Sequence, residues 1–331
     1  MRSTNVDKVW VVRKGDGQTL GEIVTRAKEA PSAIDEGRVF VGKRRATTPS
    51  APVSPGDVVR IGAPRARSAT EVSSELEILL HEGGLIAVNK PAGLPTVPDH
   101  AGSAHALVAL AAKTLGMRAD ALRITSRLDR GVSGVVLFAL DEAAETNLKR
   151  ARAEGSYHRR YVAIGCASAP FFRDSAPAPG LHGVWTRDIR RAAEPRLRAA
   201  SDEDGKRAET RWRVEGVGPT LSAGECGTIV PVVLAVDPIT GRTHQIRVHA
   251  SDGGTPLLGD RDYGGPPTLV LPNGRVLALG RIALHAARVR VPGARGPIEL
   301  HAPIPPELRD AWAALGGSPD AWGRAVAASS T

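Results

Sequence analysis

The 331-residue chain is poor in cysteine, with Cys166 and Cys226 its only two. Two cysteines cannot build a disulfide framework, and these stand in no paired metal-ligand spacing, so the sequence points to a reducing cytoplasm. No run approaches the roughly twenty apolar residues of a membrane-spanning helix, and the N-terminus carries no apolar signal core. A cytoplasmic chain is expected, with a monomer as the default. His244, His249 and His285 lack the accompanying cysteines or carboxylates of a metal set. They are expected to be packing or turn residues, and neither a metal nor an organic cofactor is expected. A second well-placed acid is also missing. A carboxylate-based hydrolase needs two acids flanking its substrate, and only Asp129 sits in a motif of that kind.

What the chain has in excess is positive charge, a formal +9 at neutral pH. Lysine and arginine neutralise phosphates irrespective of sequence, so this balance favours a polyanionic partner over simple solubility charge. The length allows one large core and a small appendage.

The run RITSRLDRGVSGVVLFAL, residues 123–140, places a single acid, Asp129, in a turn bounded by glycine and serine between two apolar segments. Val135, Val136, Leu137 and Phe138 are expected to fill a buried strand, so Asp129 stands where the chain enters a core. Arg127 and Arg130 flank it, and Gly131 and Gly134 permit backbone angles that aim it at a cleft. The bland alternative is a turn aspartate paired with a neighbouring arginine at the surface.

Ser126-Arg127-Leu128-Asp129, followed by Val132-Ser133-Gly134, resembles the central motif of the RluA-type pseudouridine synthases. That motif is usually read as His-Arg-Leu-Asp, then Thr-Ser-Gly two residues later. Ser126 stands for the usual His and Val132 for the usual Thr. Other segments follow in the family's order. Upstream, residues 85–94 match the opening strand and Lys-Pro-x-Gly turn. Downstream, residues 157–163 match the Lys-x-Tyr-x-Ala strand with arginine in the lysine position, and residues 205–210 match Gly-Lys-x-Ala-x-Thr. The run DPITGRTHQIRVH, residues 237–249, is followed by Gly259-Asp260 and Tyr263-Gly264, and residues 282–286 match the late Leu-His-Ala strand. The resemblance spans roughly residues 76–306.

It implies an α+β fold, a catalytic domain on a central mixed or antiparallel sheet, and an RNA isomerase. The expected division is a module at residues 1–63, a Pro/Arg/Ser/Ala-rich linker at 64–75, a catalytic domain at 76–311 and a C-terminal tail at 312–331, frayed from about residue 316. The module has a helical pattern around Leu20, Ile23, Val24 and Ala27 and strands near Val39 and Val58. It is similar to the alpha-L RNA-binding module in degenerate form, and Lys43, Arg44 and Arg45 are its candidates for phosphate contact. Within the catalytic region, helices are expected at 104–115 and 142–153, and a long surface excursion at 169–198.

By resemblance Asp129 is the catalytic acid, through attack on the anomeric carbon or the ring, or through removal of a sugar proton to give a glycal. The residues alone leave both routes open. Arg247 is implied as its arginine, and strand alternation would send Gln245 and Arg247 to one face. Tyr161 is implied as the aromatic that stacks on the base or moves a proton, with Leu284 packed beneath it. Arg127 is implied to fill the space of a flipped base, and Arg242 suits phosphate contact. His244 and Gln245 complete the substrate-binding candidates. The implied partner is ribosomal RNA or, less favoured, transfer RNA. A non-catalytic RNA-binding protein on the same scaffold is the alternative.

Overall fold

The computed structural model describes residues 8–27, 32–35, 39–42, 44–46, 48–62, 76–98, 106–172, 178–194, 196–222 and 228–327. The expected linker, Lys43 and Cys226 lie outside them. A four-stranded sheet near the N-terminus joins Lys8–Val11, Val58–Ile61, Val39–Val41 and Arg44–Arg45 in that order. The helix Leu20–Arg26 supplies Leu20, Ile23 and Val24 to a core it shares with Val39, Val59 and Ile61. This is the small α+β unit that the sequence suggested.

The catalytic region is built on a mixed sheet of eleven strands among the described residues. Its main path runs His182–Trp185, Thr210–Val217, Thr228–Pro238, His158–Ala167, Leu284–Val291, Ser133–Ala139, Leu85–Lys90, Ile78–Glu82. Neighbours along this path are antiparallel except Leu284–Val291 with Ser133–Ala139, which pair in parallel. Every residue of Ser133–Ala139 is buried. A strand covered on both faces reads as a continuous apolar run, which is why residues 135–138 show no alternation.

The parallel pair is very close. Gly134 has φ +115°, and a β-carbon there would stand 2.2 Å from the Ala286 carbonyl oxygen. Glycine is required by both the backbone angle and the contact. The helix Glu142–Ala153 begins at Asp141, whose side chain accepts from the Ala144 amide at 2.7 Å. That cap satisfies one of the free amides of the first turn, and Leu148 and Ala151 face the sheet.

Three expectations are corrected. Gln245 does not begin a strand but the helix Gln245–Asp252. Residues 312–327 are not a frayed tail: the helices Pro306–Ala314 and Asp320–Ala327 bury Leu308, Ala311, Trp312, Ala321, Trp322 and Ala325 against the sheet. The Arg160 guanidinium locks the second helix down, bridging Asp237 at 2.5 and 2.6 Å and the Ala325 carbonyl at 3.2 Å. Residues 169–198 are not a bare excursion. Phe171 and Phe172 are buried, His182–Trp185 extends the main sheet, and Asp188–Arg191 pairs with Arg198–Ser201.

Candidate active site

Asp129 lies in the loop that joins Arg123–Ile124 to Ser133–Ala139, two strands that pair with each other. The loop is tied at both ends to fixed groups. Thr125 Oγ1 donates to the Leu137 carbonyl at 2.7 Å, and Ser126 Oγ accepts from the Leu137 amide at 3.2 Å. Serine in place of the family's histidine therefore still anchors the loop to the buried strand. Thr96 Oγ1 donates to the Leu128 carbonyl at 2.8 Å and accepts from the Leu128 amide at 3.1 Å. On the other side of the acid, Gly93 N–H donates to the Arg130 carbonyl at 2.7 Å, and Arg130 Nε donates to the Gly93 carbonyl at 3.0 Å.

Lys90, fully buried, holds this turn from beneath. Its Nζ donates to the carbonyls of Leu94 at 2.6 Å, Pro91 at 3.0 Å and Arg130 at 3.4 Å. Burial, then the positive charge of Arg281, pushes the ammonium down to about 7, against a partial restoring effect of Asp129. The Lys-Pro-x-Gly turn is thus the cradle of the Asp129 loop.

The flanking arginines do not pair with the acid. Arg130 turns to Gly93, and Arg127 is exposed with no hydrogen bond or ion pair among the described residues. The partner is Arg247, whose Nη1 donates to Asp129 Oδ2 at 3.0 Å. Arg247 is 5% exposed and donates to two further acids as well. Nε and Nη2 form a fork on Asp260 at 2.7 Å each, and Nη2 also meets Asp262 Oδ2 at 3.0 Å. Burial alone would make this guanidinium easier to deprotonate. The hydrogen bonds and charges of Asp260 and Asp129 outweigh it and leave Arg247 more firmly protonated than an ordinary arginine.

The Asp129 carboxylate is 26% exposed. Oδ2 is committed to Arg247, while Oδ1 makes no hydrogen bond among the described residues. One oxygen is anchored and the other is left uncommitted on a partly exposed side chain.

His244 Nε2 stands 3.7 Å from the same Oδ2, and Nδ1 lies 2.7 Å from the Tyr263 hydroxyl. His244 has φ 59° and ψ 16°, and is the one non-glycine residue at positive φ among the described residues. That conformation costs about 1–2 kcal/mol for a residue with a β-carbon.

Tyr161 and Leu284 lie in adjacent strands. Tyr161 faces Ala286, and Leu284 faces Ala163, so Leu284 is diagonal to the tyrosine on the same sheet face and shares its apolar cluster. Burial pushes the Tyr161 hydroxyl up to about 12, and it stays protonated at neutral pH. The hydroxyl makes no hydrogen bond among the described residues.

Gln245, expected to bind substrate, is buried and committed elsewhere. Its Oε1 accepts from Thr240 Oγ1 at 2.8 Å and from the Arg242 amide at 2.9 Å. Its Nε2 donates to the Glu209 carbonyl and Thr210 Oγ1, both at 2.9 Å. All four positions of the amide are filled, so Gln245 is a clamp on the turn before the helix and not a substrate contact. Arg242 is exposed; its Nε donates to the Arg207 carbonyl at 2.9 Å, and its two terminal nitrogens make no hydrogen bond among the described residues.

The sequence alone points to no role for Asp260, Asp262, Tyr263 or Lys90. Asp260 was visible in the Gly-Asp segment, but its function as the buried counter-charge of Arg247 arises only when the helix and the loop meet. His249 and His285 are packing residues. His249 bonds Thr210 Oγ1 at 2.9 Å and the Arg187 carbonyl at 2.7 Å. His285 bonds Ser133 Oγ at 2.7 Å and the Ala302 carbonyl at 3.3 Å. Among the described residues no cluster of three His, Cys, Asp or Glu side chains is placed to hold a metal ion, and no helix is long and apolar enough to cross a membrane.

A mixed sheet presenting one anchored carboxylate beside a buried arginine and an apolar-backed tyrosine defines an acid-bearing α+β enzyme. The family model described as RNA pseudouridylate synthase matches residues 84–252, a span that contains Asp129, Tyr161 and Arg247. The chain is 31% identical over 295 residues to ribosomal large subunit pseudouridine synthase C of Yersinia pestis, covering 85% of each chain. It is 33% identical over 280 residues to ribosomal large subunit pseudouridine synthase D of Xylella fastidiosa, covering 81% of this chain and 78% of the relative. Among solved structures, human RNA Pseudouridylate Synthase Domain Containing 1 superimposes with a TM-score of 0.50 at 25% identity. The match covers 70% of this chain and 84% of that one. Human RNA Pseudouridylate Synthase Domain Containing 4 gives 0.53 at 20% identity over 76% and 96%, a likeness of fold alone. The chain belongs to the RluA-type family of RNA pseudouridine synthases, isomerases that act on RNA.

Proposed function

We propose that this enzyme isomerises uridine to pseudouridine in large-subunit ribosomal RNA, in preference to transfer RNA, with Asp129 as its working acid and the target base flipped out of the stack. The observation that carries the reading is the pairing of Asp129 Oδ2 with Arg247 Nη1 at 3.0 Å, which leaves Oδ1 uncommitted. The names of the Yersinia pestis and Xylella fastidiosa relatives favour the large ribosomal subunit.

The reaction breaks the bond from C1′ to N1, turns the uracil, joins C1′ to C5, and moves the C5 proton to N1. No outside atom or electron enters. Oδ1 is the oxygen that attacks the sugar or ring, or that takes the sugar proton; Arg247, bonded to Oδ2, keeps the carboxylate aimed. Tyr161 offers a ring face backed by Leu284 and a protonated hydroxyl to the displaced base. Reaching a stacked uridine costs the unstacking energy of one base, which is smallest in loops and bulges. Exposed Arg127 is free to fill the vacated space, and Arg242 to hold a backbone phosphate.

The test is incubation of the purified chain with large-subunit ribosomal RNA transcribed in vitro and, separately, with unmodified transfer RNA. Pseudouridine in the ribosomal RNA is expected. Product in transfer RNA alone overturns the substrate class, and product made by Asp129→Asn overturns the acid.

A further inference from the structure

We infer that His244 is a catalytic hydrogen-bond donor: its neutral imidazole, fixed by Tyr263 with the proton on Nε2, donates to the uracil carbonyl oxygen that gathers charge as the glycosidic bond breaks. The inference rests on the pseudouridine synthase reading above.

The Tyr263 hydroxyl accepts the Arg198 backbone N–H at 2.9 Å, and its own proton needs an acceptor. His244 Nδ1, at 2.7 Å, is that acceptor. A neutral imidazole that accepts at Nδ1 carries its proton on Nε2. Nε2 points toward the acid but stops at 3.7 Å, beyond hydrogen-bond range, and makes no other bond among the described residues. The donor is aimed at the reaction centre and left uncommitted.

A purely structural role fits poorly. His244 precedes the helix Gln245–Asp252, yet its side chain caps no helical amide. It holds a left-handed backbone that asparagine or glycine would adopt more readily. Strain of this kind persists where surrounding structure fixes a group for use. Tyr263 and Asp129 stand against the ring, and the charges of Arg247, Arg198 and Asp260 act on it. Burial, first, holds the imidazole below its ordinary range, opposed by the charge of Asp129 and aided by those of Arg247 and Arg198, so it is neutral at pH 7.

The chemistry requires such a donor in either route open to Asp129. When the bond from C1′ to N1 breaks, its electron pair leaves with the uracil, and the charge spreads over N1 and the two carbonyl oxygens. The oxygen beside N1 is the one nearest to C1′ and hence to Asp129. A neutral imidazole N–H there stabilises the anion without giving up its proton, so the base remains nucleophilic at C5. His244 ends the cycle in the state in which it began.

The experiment uses the full chain and large-subunit ribosomal RNA transcribed with tritium at uracil C5, so that tritium release reports turnover. No release by the wild type would overturn the underlying reading and is distinguishable from failure of this one. With an active wild type, His244→Asn, which suits the left-handed backbone, is expected to slow the single-turnover step about 10²–10³-fold. RNA affinity by filter binding should stay within about threefold. Turnover at the wild-type rate, or a loss explained wholly by weaker RNA binding, overturns the role. Nitrogen-15 NMR of histidine-labelled wild type gives an independent answer that does not depend on the variant folding. The His244 ring should show a protonated Nε2 and an unprotonated Nδ1; the opposite tautomer, or a doubly protonated ring at pH 7, overturns it.

Discussion

Arg247 reaches Asp129 across 118 positions of sequence and binds one oxygen of its carboxylate at 3.0 Å. The contact is fixed from behind, because the same guanidinium is forked on Asp260, which is almost wholly buried. The acid is therefore held by a cation that is itself immobilised, and the geometry of the site precedes the arrival of RNA.

Asp129→Asn keeps the size of the side chain and removes its charge. Single-turnover pseudouridine formation should fall by about 10³-fold or more. RNA affinity by filter binding should change little, because phosphate contacts dominate it.

Arg247→Met leaves Asp260 buried without its counter-charge. The expected loss is about 3–5 kcal/mol of stability, read from urea unfolding. Arg247→Met combined with Asp260→Leu should recover part of that loss while activity stays absent, since Asp129 still lacks its arginine.

Gly134→Ala places a methyl group 2.2 Å from the Ala286 carbonyl and fixes an L-residue at φ +115°. The parallel pairing beside the Asp129 loop must open. A loss of about 3 kcal/mol or more in the same assay is expected, with activity falling alongside it.

His285 is buried, and burial pushes its imidazole down to about 4. The unfolded chain binds a proton near pH 6.5, whereas the folded chain does not until about pH 4. Between those values the unfolded state holds more protons, so stability rises with pH and is lost as pH falls through that window. The loss is about 3 kcal/mol at most. His285→Asn should make the slope of unfolding free energy between pH 6.5 and pH 4.5 shallower than in the wild type.

Much of this site was legible in the sequence because short motifs fix local turns. Asp129 before an apolar run and the helix Glu142–Ala153 follow from residue type and period, and the strands around Tyr161 and Leu284 from the family resemblance. Gln245–Asp252 reads as a strand in sequence for a physical reason. Residues Gln245 to Ala250 are all buried, so the helix has no polar face, and Ile246 and Val248 imitate strand alternation. The C-terminal helices carried a readable period at Leu308, Ala311, Trp312 and Leu315, which the surrounding glycine, proline and alanine masked. Asp260, Lys90 and Tyr263 were out of reach, because their roles depend on which distant loops meet.

The most direct test of the account is a pseudouridine map of total RNA, by carbodiimide labelling and reverse transcription, from cells with and without this gene. The account predicts that one or a few sites in large-subunit ribosomal RNA disappear and return with the wild-type chain but not with Asp129→Asn. A map unchanged by loss of the gene, or restored by Asp129→Asn, would contradict it.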